Sequence, residues 1–88
     1  MGMANTLEWT KSNVGKYFAL YGVEYDHEES HPVITASADY TAAKVGSVWV
    51  LKHKTWRRGG ETTTRFIGTY PTLKEAKRNA DYDRKAQA

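Results

Sequence analysis

The 88-residue chain has no cysteine. A disulfide framework, a thiol nucleophile and a thiolate metal site are therefore all excluded. Only two prolines occur, Pro32 and Pro71, and there is no low-complexity tract, so a proline-rich linker is excluded as well. No apolar run approaches the roughly 20 residues a membrane-spanning helix needs. The opening MGMANTLEWTKS has no apolar stretch of the signal-peptide kind. Together these absences predict a cytoplasmic protein with no membrane attachment. The sequence also lacks a glycine-rich phosphate loop and any credible order of Ser, His and Asp for a hydrolytic triad. A chain this short encloses little pocket volume. The expectation is a non-enzymatic protein that needs no cofactor, folded as one domain over residues 1–88, with about six N-terminal and four C-terminal residues frayed.

What is present is unevenly charged. The formal net charge is +3. EYDHEES (residues 24–30) carries four carboxylates in seven residues, and KHKTWRR (residues 52–58) carries four Lys or Arg in seven. Such segregation points to a surface with a charged partner or to a solvated hairpin tip.

The β-type segments follow one another. LEWT (residues 7–10) reads as a short strand or its approach. GKYFALYGVEY (residues 15–25) is rich in aromatic and branched residues and reads as a strand, bent at Gly22. After the polar DHEESHP, residues 33–37 of VITASADYTAA read as a strand and the rest as a connection. SVWVLKHKTW (residues 47–56) and TTTRFIGTY (residues 62–70) are two β-runs joined through Gly59-Gly60, which predicts a hairpin. Pro71 closes the second run. Thr72-x-x-Glu75 then forms a capping box, in which the Thr hydroxyl accepts from the Glu75 amide. Leu73, Ala76, Lys77, Ala80 and Arg84 recur at helical spacing, with Lys74, Arg78 and Asp81 on the opposite, solvated side. The predicted class is α+β: an antiparallel sheet of three or four strands with one C-terminal helix packed on one face. One helix covers one side of such a sheet, so the other side is left to water or a partner.

The segment FIGTYPTLKEAKRNADYD (residues 66–83) carries a family pattern in Phe66, Ile67, Gly68, Thr69, Tyr70, Thr72, Glu75, Ala76, Ala80, Tyr82 and Asp83. It resembles the strand-to-helix segment of the plant AP2/ERF DNA-binding domain and of the related arm-binding domains of phage integrases. A similar ending recurs in small uncharacterised phage and prophage proteins. The resemblance covers about a fifth of the chain. It implies a three-stranded sheet with a packed helix, entering the DNA major groove and reading it with Arg and Trp side chains. The family's first strand, of the Tyr-Arg-Gly-Val-Arg type, has no counterpart here. On the last strand the DNA-facing places fall by parity on Thr64 and Phe66, with Arg65 on the alternate face.

The residues with binding chemistry are Lys52, Lys54, Trp56, Arg57, Arg58 and Arg65. Lys52, Lys54 and Trp56 share parity and so line one strand face, where ammonium groups meet phosphates and the indole stacks on a base. Charged residues on a strand also serve to prevent edge pairing. His27 and His31, with Asp26, Glu28 and Glu29, imitate a metal site, but Pro32 and the loop composition oppose the helix that spacing needs, so no metal is expected. Trp9, Tyr17, Phe18, Tyr21, Tyr25, Tyr40 and Trp49 are read mostly as core. Two functions from different classes follow. One is DNA binding through the open sheet face and the basic hairpin. The other is a phage or mobile-element protein that binds and inhibits a host protein, a defence or transcription component. The acidic residues 24–29, which repel a nucleic-acid backbone, favour the second.

Overall fold

The computed structural model describes residues 7–26 and 32–87. Five strands, β1 (Thr10–Asn13), β2 (Lys16–Asp26), β3 (Val33–Val45), β4 (Val48–Arg57) and β5 (Thr63–Tyr70), precede one helix, α1 (Leu73–Gln87). The strands form a single antiparallel meander in sequence order. The α+β class and the C-terminal helix agree with the sequence; the count of three or four strands does not, and five is correct. The added strand is β1: it is formed by the exposed, polar Thr10–Asn13 paired with β2, so the LEWT segment (residues 7–10) leads into a strand and residues 7–9 are not part of one. β3 is also longer than residues 33–37. Its second half alternates Ala38, Tyr40 and Ala42 with Asp39, Thr41 and Ala43, and alanine is a weak strand former. The full ladders to β2 and β4 on either side override that preference.

The alternation within β4 decides which side the helix covers. Leu51 and His53 are buried, while Lys52 and Lys54 between them are exposed. The core is Leu7, Ala19, Tyr40, Ala42, Leu51, Ala76 and Ala80, with Trp9, Tyr21, Trp49, Ile67, Tyr70 and Leu73 packed around it. Ala76 and Ala80 are wholly inaccessible, so α1 lies close against β3, β4 and β5. Lys77 and Arg84, from the same helical stripe, lay their charges over the rings of Tyr17 (5.2 Å) and Tyr21 (5.1 Å).

Local signals hold the elements in place. Glu75 N donates to Thr72 Oγ1 at 3.2 Å, the first half of the capping box. Gly22 has φ +60° where the β2–β3 register slips, the predicted bend; a side chain there would have to adopt the left-handed region. In β5 the register slips at Leu51/Lys52, so Ile67 is the extra residue and turns into the core. Asp81 is not simply solvated: its Oδ1 accepts from Leu7 N at 3.1 Å, tying the start of the described chain to the helix. The helix continues to Gln87, whose Nε2 donates to Asp83 Oδ2 at 2.7 Å.

Candidate nucleic-acid interface

The side of the sheet away from α1 is built by strand pairing into parallel rows. Lys16, Ala43, Val50 and Thr69 form one row. Phe18, Thr41, Lys52 and Phe66 form the next, and Leu20, Asp39, Lys54 and Thr64 the third. Ser37 and Trp56 continue beyond them. Strand pairing thus puts the cations Lys16, Lys52 and Lys54 beside the aromatic rings of Phe18, Trp56 and Phe66. Phe66 is 60 % exposed and Leu20 is 52 % exposed, large apolar side chains presented to solvent. With neighbouring strands about 4.8 Å apart, Phe18 and Phe66 stand roughly 14 Å from each other across the face.

Lys52, Lys54 and Trp56 lie together as their parity implies. Arg57 and Arg58 stand at the rim, in and beside the β4–β5 turn. That turn is held by Gly60 N donating to Arg57 O at 2.9 Å, with Gly59 at φ +77°. Arg58 N also donates to Thr35 O at 2.8 Å, anchoring the turn to β3. By alternation Arg57 belongs to the helix-side surface, where it borders an open cleft of about 580 Å3 that also contains Glu24 and Glu61.

Arg65 does not join this group. It pairs with His53 in the β4–β5 ladder and therefore points to the helix side. There its guanidinium donates to Asp83 Oδ2 at 2.7 Å and Oδ1 at 3.2 Å. Tyr40 Oη donates to the same carboxylate at 2.6 Å. His53 Nδ1 lies 3.4 Å from Arg65 Nη2, a pure donor, so Nε2 carries the proton and donates to Tyr21 Oη at 2.6 Å. The charges tune one another. The hydrogen bond to Asp83 raises Arg65 above its ordinary value. Burial alone would raise Asp83, but the hydrogen bonds from Arg65 and Tyr40 outweigh it and hold the carboxyl below the usual range. Burial, then the Arg65 charge, lowers His53. Burial, reinforced by the bond to Asp83, raises Tyr40. This cluster joins α1 to the sheet and leaves Arg65 committed on the wrong side for a ligand on the open face.

Sequence reasoning missed Lys16, Leu20 and Asp39 as members of the face, and His53, Asp83, Tyr21 and Tyr40 as a network. The period-two pattern of β2 and of the second half of β3 was the available signal for the first group. The network has no sequence signal, since its hydrogen-bonded partners lie up to 43 residues apart. Tyr40 is fully buried as expected, whereas Tyr25 is 48 % exposed. The His27 and His31 arrangement lies outside the described residues. Among the described residues no group of three or more His, Asp or Glu side chains could hold a metal ion, and no helix is long and apolar enough to cross a membrane. No protein-family model, curated protein or solved structure matches the chain.

Proposed function

We propose that the protein is a small non-enzymatic nucleic-acid-binding domain of the cytoplasm that engages its ligand with the uncovered sheet face and the rim at Arg57 and Arg58. The observation that carries this reading is the shared face of the exposed Lys52, Lys54 and Phe66 and the half-buried Trp56, with Phe18 in the row of Lys52 and Phe66 and Lys16 in the row beside it. Ammonium groups neutralise phosphates and release counterions, and exposed rings stack on bases. The likeness of residues 66–83 to AP2/ERF and integrase arm-binding segments supports the same class.

The test is fluorescence anisotropy with labelled random DNA, single- and double-stranded, from about 50 to 300 mM salt. Binding should weaken steeply with salt. Lys52→Ala with Lys54→Ala should reduce the slope of log K against log[salt] by about 1.4 to 1.8, two phosphate contacts' worth. Unchanged affinity and slope in the double variant would remove these lysines from the interface.

A second reading has its own support. Leu20, Phe66 and Val45 are exposed large apolar side chains, and Asp39 sits among the lysines. Such a mixed face suits a protein partner, as for a phage or mobile-element protein that inhibits a host component. A complex that survives moderate salt and is lost with Phe66→Ala would favour it.

A further inference from the structure

Phe66 is the most exposed ring on the uncovered side of the sheet, 60 % open to solvent where Phe18 and Trp56 are half-buried. Its position explains this. β5 is an outer strand, so no further strand flanks the ring. Its neighbour on the same strand face is the short Thr64, and Thr69 stands in the next row. Across the ladder is Lys52, about 5 Å away between Cβ atoms, and Lys54 follows about 7 Å further along β4. Both lysines are exposed, and their long side chains reach whatever lies on the ring. In the three rows of this face Lys16, Lys52 and Lys54 outnumber the one carboxylate, Asp39. A large exposed ring among cations complements a ligand that is both flat and anionic.

Resting on the nucleic-acid reading above, we infer that Phe66 is a stacking platform for an unpaired base whose flanking phosphates are held by Lys52 and Lys54, so that the protein binds unpaired strands whatever their sequence. The phenyl ring has no hydrogen-bonding group with which to read a base edge. It meets the face of a base, and every base has one. The lysines meet phosphates as point charges, which carry no sequence information. In a duplex the faces are covered by neighbouring base pairs, and only the edges show in the grooves. The sheet is also too broad to follow those edges: its four long strands span about 14 Å from β2 to β5, against a major groove about 12 Å wide.

The experiment compares three labelled probes of about 12 nucleotides at roughly 50 mM salt: an all-thymine strand, its duplex with the adenine complement, and a strand of equal length without bases. The thymine strand is expected to bind about tenfold tighter than the duplex, although charge density alone favours the duplex. Phe66→Ala should weaken the thymine strand at least about fivefold, with the duplex held within about twofold. Its slope of log K against log[salt] should stay at the parent value, because no charge has been removed. Phe66→Tyr keeps a ring and should bind within about twofold of the parent. The strand without bases should bind the parent no better than the thymine strand binds Phe66→Ala. A duplex bound as tightly as the thymine strand overturns the proposal while leaving the nucleic-acid reading in place. So does a Phe66→Ala variant within twofold of the parent, or equal binding of the strands with and without bases. Failure of every probe to bind even at low salt overturns the nucleic-acid reading and this proposal with it, and leaves the face to a protein partner.

Discussion

Replacing Tyr40 by Phe removes one oxygen and leaves the ring in place, 5.5 Å from Tyr21 and 4.6 Å from His53. The lost hydroxyl is the donor to Asp83 Oδ2 at 2.6 Å, and Tyr40 is fully buried. A hydrogen bond to a charged acceptor contributes about 1.5–3 kcal/mol. Asp83 keeps Arg65 and Gln87, and its side chain is 18 % exposed, so water replaces part of what is removed. The cost therefore settles near the lower bound, about 1.5 kcal/mol. For a domain of this size that lowers Tm by roughly 6–12 °C.

Urea unfolding at pH 7, followed by tryptophan fluorescence and by circular dichroism, measures this directly. Acid gives an independent check. Asp83 has a folded-state pKa below its unfolded value, so the stabilisation is present above about pH 4 and is lost as the pH falls through the lower, folded value. The penalty of Tyr40→Phe should shrink over that range, because a protonated carboxyl is a poorer acceptor. A pH 7 stability within about 0.3 kcal/mol of the parent would refute the argument. It would mean that the Tyr40–Asp83 bond does not hold the helix to the sheet.

Other expectations are as concrete. His53 is lowered by burial and by Arg65, so the unfolded chain takes up a proton where the folded protein resists it. Stability should be full above about pH 6.5 and decline as the pH drops below it, until the folded value is reached. His53→Gln should flatten the part of the Tm–pH profile just below about pH 6.5, and an unaltered slope would assign it to another group. Thr72→Ala removes the acceptor of the Glu75 amide and should cost about 1 kcal/mol in chemical denaturation, without changing ligand affinity. Arg65→Gln should lower stability, yet leave DNA affinity within about twofold of the parent, because its guanidinium is on the helix side. A large loss of DNA binding in that variant would place the interface on the other face.

Much of this architecture is written locally. The β4–β5 hairpin, the stop at Pro71, the Thr72 cap and the stripe of Leu73, Ala76, Lys77 and Ala80 each depend on residues a few positions apart, and all are found as the sequence implies. The common face of Lys52, Lys54 and Trp56 is equally local, because side chains alternate along any strand. The second half of β3 was not legible. Its alanines and polar residues give little strand preference by themselves, and only two flanking ladders make it a strand.

Other decisions belong to the tertiary structure alone. Alternation says that Arg65 and Lys52 point to different sides; it does not say which side the helix takes. That choice, made by the close fit of Ala76 and Ala80 over Leu51, turned Arg65 towards Asp83 and left the lysines uncovered. Strand register, a non-local property, brought Lys16 and Phe18 from β2, Asp39 from β3 and Phe66 from β5 into one surface. The sequence by itself determined the elements and their two-sided patterns, because those follow from neighbours in the chain. Which side became a core and which was left uncovered was decided by contacts between residues far apart in it.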